Sequence, residues 1–380
     1  MKKLAIIGSS ELQTPLILEA KNMGYETYVF SKRNNTIGEK ECTKFYDVDV
    51  LDVDAILKKC ENLKIDGITS IASDITTKAV VFVSEKMNLV GNSFETLYKS
   101  TNKYEMRKSF KNAGLIVPNN FLVKDIEDIN GLDTKLKYPV IVKPTDRAGS
   151  AGVIKVDNKK DLRSSIEYAM QESLTKHVIV EEYIYGKEYS CECVSINGKH
   201  KRLVFTEKFT TGAPNFVEIG HIQPANINLD ENYVENIIFK GLDSLNIQNG
   251  ASHAEFKITP NNEVVIIEIG ARMAGDFIGS TLVKLSTNVD YVKLVIDIAM
   301  NNSPLFPSIQ KITPCAIKFI CNNEDLKTFE KLKNENMIFS HSDDLIVNNK
   351  RITKSSERFG WFTIKGGNIE MYKKIINNEI

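Results

Sequence analysis

The sequence predicts an α/β and α+β protein in three parts. A doubly wound parallel-sheet unit covers residues 1–100, a central α+β region covers 101–310, and a small strand-rich α+β lobe covers 311–380. Three observations lead there. The first ninety or so residues alternate strand-forming and helical runs, the pattern of a parallel sheet covered by helices. The middle carries two alternating apolar stretches, each broken by a turn signal, as antiparallel hairpins do. The tail returns to strand formers around one amphipathic helix and a short terminal one.

In order, "KKLAIIG" reads as a strand, "ELQTPLILEAKNMG" as a helix stopped by Gly24, and "YETYVFS" as a second strand. "FYDVDV", "DVDAILKKCENLK", "IDGITSIAS" and "TTKAVVFVSEKMN" continue the alternation. Gly8 ends the first strand where phosphates often sit, but "GSSELQ" lacks the glycines of a dinucleotide fingerprint, so a tight turn explains it. "STNKYEMRKSFKNAG" is a helix ending at Gly114, followed by an extended segment through Pro118. From about 120 to 190 the pattern is strand, helix, strand, strand, helix, strand. "GKEYSCECVSINGKHKRLVFTEKF" is a hairpin turning at "INGK", "DENYVENIIFKGLDSLNI" a helix, "SHAEFKITPNNEVVIIEIGARM" a second hairpin, and "VDYVKLVIDIAMN" a helix.

Composition removes several classes of function. Lys plus Arg equals Asp plus Glu at 49 each, which gives no electrostatic basis for binding nucleic acid or an anionic membrane surface. No apolar run approaches a membrane span. The five-residue apolar core of "MKKLAIIG" is too short for a secretion signal and suits a buried strand. The six cysteines form no CxxC pair; Cys191 and Cys193 alternate in a strand and are too close for an ordinary bridge. Free thiols in a reducing cytoplasm follow.

Two segments carry chemistry. In "YPVIVKPTDRAGSAGVIKV" a buried strand ends in Lys143, and a small-residue loop follows. In the second hairpin, a two-residue turn at Asn261–Asn262 sets Glu255 opposite Glu268 and His253 opposite Gly270. Phe256, Ile267 and Ile269 on the other face would anchor the ribbon in a core. Like charges directly opposed cost stability, so such a pair commonly holds a cation; two solvated edge glutamates are the plainer alternative. Hard oxygen ligands at low count suit Mg²⁺. Arg272, just beyond in "EIGARMAGD", is placed to clamp an anion that meets the metal.

These segments, taken in order with "VIVEEYIYGKEYS" between them, resemble the ATP-grasp superfamily. The resemblance covers nearly the whole chain. It implies a Rossmann-like N-terminal domain, a central ATP-grasp fold whose glycine-rich lid subdomain covers about 115–185, and a C-terminal lobe. It implies that Lys143 reaches the nucleotide, and that the loop 146–152, with Gly149, Ser150, Ala151 and Gly152, folds over the phosphates of ATP. Glu181 becomes the acceptor for the adenine amino group, with the backbone from Glu182 through Tyr183 to Ile184 reading the ring edge. Glu188 becomes the ribose acceptor and Lys103 a first nucleotide-contacting lysine. Glu255 and Glu268 become ligands for Mg²⁺, with Mn²⁺ as a substitute. The loop is poorer in glycine than the family's, and Gly270 stands where many members carry an asparagine ligand; His253 opposite could support the metal site.

"EKFTTGAPNFVEIGHIQPA" and "EIGARMAGDFIGSTLVKLSTNVDYV" resemble the branch of amino-acid ligases that join a carboxylate to an amine. On that resemblance Arg272 and Lys143 are catalytic, and Glu218, His221, Arg272 and the loop 273–279 with Gly275 line the substrate pocket; a hydrogen-bonded structural role for His221 is the alternative. The expected protein is a cytoplasmic, ADP-forming ligase of small-molecule carboxylates and amines, with a homodimer admitted as its assembly. A biotin-carboxylase-type or phosphoribosylamine–glycine-ligase-type enzyme, or a non-catalytic nucleotide-binding protein, are the alternatives.

Overall fold

The computed structural model describes residues 1–380 except 34, 133, 344, 349 and 350. The opening alternation folds as β1 (Lys3–Ile7), α1 (Thr14–Asn22), β2 (Glu26–Ser31), α2 (Ile37–Glu41), β3 (Lys44–Asp47), α3 (Val53–Leu63), β4 (Gly67–Thr69) and α4 (Asp74–Lys86). Its strands are parallel, in the order β3-β2-β1-β4. The strand β1 is apolar on both faces because helices cover both. Leu4 and Ile6 pack with Leu16 and Ile17 of α1, while Ala5 and Ile7 pack with Ile56 of α3 and Val83 of α4.

Two helices follow, α5 (Phe94–Thr101) and α6 (Lys103–Asn112). Asn102 separates them and caps α6 by accepting from the Tyr104 and Glu105 N–H groups. That cap places Lys103 in the first turn and Arg107 one turn on, along the same face. A four-stranded antiparallel sheet comes next, from β5 (Asn120–Val123), β6 (Val140–Pro144) and β7 (Ile154–Val156), with α7 (Leu162–Glu172) ahead of β8 (Val178–Glu182). Its order is β5-β8-β6-β7. The helix expected after its first strand is a 3-10 turn at Ile126–Ile129, fixed by Asp125 and Asp128 in a capping box and followed by Gly131 at φ +78°.

The remaining elements are β9 (Lys187–Ile196), β10 (Lys199–Thr210), β11 (Glu218–Gln223), α8 (Glu231–Ser244), β12 (Gly250–Ile258), β13 (Val264–Gly270), α9 (Val283–Thr287) and α10 (Tyr291–Ala299). After them come β14 (Cys315–Ile320), α11 (Asn323–Asn334), β15 (Ile338–His341), β16 (Gly360–Lys365) and α12 (Ile369–Ile376). The β9–β10 turn is as expected: Asn197 and Gly198 both have positive φ and Ile196 pairs with Lys199. The tail does not build a sheet of its own. The strands β14, β15 and β16 extend the central sheet through β11, giving the order β13-β12-β9-β10-β11-β14-β16-β15. Among the described residues no helix is long and apolar enough to cross a membrane.

The second hairpin sets Glu255 opposite Glu268 and His253 opposite Gly270, as expected, but by another route. Ile258 pairs with Val264 across a turn at Pro260–Asn262, with Asn262 at φ +62°, and not across a two-residue turn. Phe256 then pairs with Ile266, and the register shifts by one before Glu255. A longer turn and a bulge at Ile267 cancel. The bulge also corrects the face assignment: Phe256 and Ile269 join the core, whereas Ile267 leaves it and lines a cavity.

Candidate active site

Two cavities meet at the centre of the molecule. A smaller one, about 160 Å³, lies between the lid sheet and the hairpin β12–β13, lined by Lys143, Glu181 to Ile184, Glu188 and Ile267. A larger one, about 630 Å³, opens between the N-terminal sheet, the central sheet and the tail, and reaches His221, Gly275, Asp276 and Arg358. Lys103, Lys208, Glu218, Glu255, Glu268 and Arg272 line both and form the junction.

In the smaller cavity Lys143, Glu181 and Arg107 form one buried cluster, exposed 5, 3 and 1%. Arg107 Nε and Nη2 donate to the two Glu181 oxygens at 2.6 and 3.2 Å, and Lys143 Nζ stands 2.5 Å from Oε2. Burial works against the Glu181 charge, but Arg107 and Lys143 prevail and hold its pKa at about 2. Burial also pulls the Lys143 ammonium below its ordinary pKa, with Glu181 opposing. Glu181 lines this cavity, and both of its oxygens meet cations. Ile184, at the cavity edge, donates its N–H to no group among the described residues. Glu188 stands 3.1 Å from Lys208 and 3.8 Å from Lys257.

At the junction each carboxylate of the facing pair has its own cation. Lys103 Nζ donates to Glu268 Oε1 at 2.9 Å and to the Arg147 carbonyl at 2.6 Å. Lys208 Nζ lies 2.8 Å from Glu255 Oε1 and 4.0 Å from Glu218 Oε1. Burial disfavours the Lys208 charge, yet Glu255, Glu188 and Glu218 outweigh it and hold the pKa well above the lysine value. On the other side of Glu255, His253 Nε2 is 3.2 Å away, and its Nδ1 is 2.6 Å from Glu192, a fully buried carboxylate. Burial alone would lower the His253 pKa; Glu192 and Glu255 raise it to about 9.

Among the described residues no three His, Cys, Asp or Glu side chains stand together as a complete metal shell. Glu255 and Glu268 supply two adjacent carboxylates, which suits a hard cation that takes its other oxygens from a phosphate. Gly270 contributes no ligand cradle. A Cβ there would meet the Arg272 guanidinium carbon at 3.3 Å, so the missing side chain makes room for Arg272.

Arg272 is not a free fork: Nε and Nη2 donate to Asp74 at 2.8 and 3.0 Å. In the larger cavity Arg358 forms the same bidentate pair with Asp276, and Ser355 Oγ donates to Glu218 Oε2 at 2.6 Å. His221 is 1% exposed and lies 3.5 Å from Asp276 Oδ2, yet neither ring nitrogen makes an aligned hydrogen bond among the described residues.

The loop 146–152 divides. Ala148 and Gly149 line both cavities, Ala151 the larger and Ser150 the smaller, where Ser150 Oγ donates to the Phe216 carbonyl at 3.1 Å. Gly152 does not face either cavity. A Cβ there would meet Pro144 at 2.8 Å, so this glycine lets the chain pack against the end of β6.

The sequence reading missed Asp74, Arg107, Glu192, Lys208 and Arg358, while Asp276 lies in the loop 273–279 expected at the pocket. Arg107 had a signal, its spacing of four from Lys103 on one helix face. Glu192 and Lys208 had a weaker one, charge at alternate positions of otherwise apolar strands. Asp74 and Arg358 had none, because their partners Arg272 and Asp276 stand 198 and 82 residues away.

Residues 136–280 match the family model of the ATP-grasp domain. Carbamoyl phosphate synthase large chain from Thermotoga petrophila is 23% identical over 72% of this chain and 27% of its own length. Alanine–anticapsin ligase from Bacillus subtilis is 27% identical over 65% of this chain and 56% of its own. The chain thus spans between about a quarter and about half of these curated relatives. Among solved structures, L-amino acid ligase from Bacillus licheniformis superposes with a TM-score of 0.84 at 21% identity, covering 99% of this chain and 96% of that one. N5-carboxyaminoimidazole synthetase from Staphylococcus aureus gives 0.80 at 21%, covering 98 and 97%. These likenesses establish a shared fold.

Proposed function

We propose that this chain, which carries an ATP-grasp domain over residues 136–280, is an ATP-dependent ligase joining a carboxylate to an amine with release of ADP and phosphate. The observation that carries this reading is the junction: one set of cations and carboxylates, Lys103, Lys208, Glu255, Glu268 and Arg272, lines both cavities. A group bound in one can there be transferred to a group bound in the other.

In this reading the smaller cavity takes ATP. Lys143 meets its phosphates, Ile184 offers its N–H to the base, Glu188 accepts from the ribose, and the loop 146–152 covers the phosphate chain. Bound Mg²⁺, or Mn²⁺ in its place, neutralises phosphate oxygens, and Glu255 and Glu268 would hold it. A substrate carboxylate oxygen attacks the γ-phosphorus, the bond to the β,γ-bridging oxygen breaks, and ADP leaves from an acyl phosphate. Lys103, Lys208 and Arg272 offset the charge that gathers on the transferred group. The amine nitrogen then attacks the acyl carbon, the carbon–oxygen bond to phosphate breaks, and the amide forms. His221, buried with its ring nitrogens unengaged, takes the proton the amine must lose.

The volume of the larger cavity favours amino-acid-sized partners over bicarbonate alone. The test is ADP release screened over pairs of amino acids and over bicarbonate, with the product identified by mass. A mass equal to the sum of two amino acids less water is expected. ADP release with bicarbonate as the sole required partner would replace this reading with a carboxylating one.

A further inference from the structure

We propose that one of the two substrates is an amino acid with a bulky apolar side chain, seated against a wall made by Leu12, Leu51 and Ile75; this rests on the ligase reading above. The larger cavity has two unlike faces. On the face formed by the central sheet and the tail, acids and bases already pair with one another. The opposite face comes from loops at the carboxyl ends of the N-terminal parallel strands: Leu12 follows β1, Leu51 follows β3, and Ile75 opens α4. In doubly wound sheets that edge is where ligands sit.

Leu51 and Ile75 are 47 and 45% exposed, and Leu174, on the lid subdomain, lines the same cavity at 58%. Large aliphatic side chains left in water at one cavity are surface whose covering by an apolar group is favourable. The acid on this wall, Asp74, is spent on Arg272. Lys78, one turn further along α4, has no ion partner among the described residues and is placed for the carboxylate that an amino acid carries beside its side chain.

Backbone strain is an independent observation on the same rim. Ala72, Asp276 and Phe277 adopt φ of +63, +53 and +57°, although none is glycine. Such conformations are unfavourable in themselves and collect where a site's shape is imposed by its surroundings. Ala72 donates its N–H to the Met273 carbonyl at 3.1 Å, which ties the loop carrying Ile75 to the loop carrying Asp276. The apolar wall is held at a fixed distance from the charged one.

The test uses the full chain with Mg²⁺ and a non-hydrolysable ATP analogue. Calorimetry measures binding of glycine, alanine, serine, aspartate, leucine, methionine and phenylalanine, and ADP release is measured with ATP. Leu51→Asp and Ile75→Asp are the variants, since both positions are exposed and the melting temperature should hold. The apolar members are expected to bind at least about 10-fold tighter than alanine or aspartate. Each variant should lose about 10–200-fold in kcat/KM for them, with nucleotide affinity unchanged. Equal affinity for alanine, aspartate and leucine, or no change in either variant, overturns the proposal. ADP release with polar pairs alone overturns it and leaves the ligase reading intact. Leucine binding that both variants abolish, without ADP release for any pair, supports the wall and removes the ligase reading.

Discussion

The two cavities are built in opposite ways. The central cluster of the smaller joins one helix to two paired strands: Lys103 and Arg107 share α6, Lys143 ends β6, and Glu181 lies on β8, 74 residues from its partner Arg107. That cluster is buried and ion-paired before any ligand arrives, with Arg107 Nη1 left without a hydrogen-bond partner among the described residues. The larger is assembled from distant pieces, with Asp74 holding Arg272, Arg358 holding Asp276 and Ser355 holding Glu218. A ligand entering the first finds positions already set. A ligand entering the second finds two arginines whose forks are occupied, so anion binding there must share or displace a carboxylate. In the proposed reading, preorganisation belongs to the nucleotide end and exchange to the substrate end.

The sharpest test of that contrast is at the junction. Glu268→Gln is expected to abolish product formation. The sequence alone suggests relief of like-charge repulsion, but Lys103 already neutralises Glu268. A stability loss of about 1–3 kcal/mol is expected from weakening a charged hydrogen bond. Normal product formation by this variant would remove Glu268 from the metal site.

Next in size is Arg358→Ala. It leaves Asp276 as an unpaired, largely buried carboxylate and should cost about 3–5 kcal/mol of stability. In the fraction that remains folded, product formation should fall while nucleotide affinity is unchanged. Equal loss of both would mean that the two cavities are not independent. Arg272→Lys separates them more gently: turnover drops severely because an ammonium cannot replace the fork shared with Asp74, and nucleotide still binds.

A pH titration reaches the hairpin. The folded pKa of His253, about 9, lies above its ordinary value of 6.5, so its contribution is complete below pH 6.5 and is lost as pH rises through about 9. Denaturation by urea from pH 6 to 10 should show an alkaline fall of up to about 3 kcal/mol. His253→Gln should flatten it; an unchanged alkaline limb would show that the Glu192–His253–Glu255 chain is not the cause. The smallest effect is ligand protection. Mg-ATP at a hundred times its Kd should add about 2.7 kcal/mol, while NAD should add nothing. Protection by NAD alone would reverse the assignment of the cavities.

The same contrast explains what could be read without a structure. Residues on one strand or one hairpin were legible because alternation and turn geometry fix their faces; Lys143, Glu255 and Glu268 are such residues. The facing glutamates were found although the turn was misjudged, because a longer turn and a bulge displace the register in opposite directions. Ile267 shows the limit, since bulges leave no mark in an apolar run. The Arg107 partner of Glu181 went unread because it lies on another element. Arg358 could not be found, because the β11–β14 pairing that brings the tail beside the cavity is a property of the closed sheet.

The continuous central sheet has a consequence for dissection. Because β14 and β16 extend the sheet through β11 and the residues just before β16 supply Arg358, no cut between the matched segment and the tail leaves both pieces whole. A fragment ending near 310 would expose the β11 edge to foreign strands and lose one side of its pocket at once. Grafting a tail from a related protein would, by the same token, transplant a pocket wall. Chimeras joined inside the turn before β14 are thus a route to altered substrate range, with sheet closure as the condition each graft must meet.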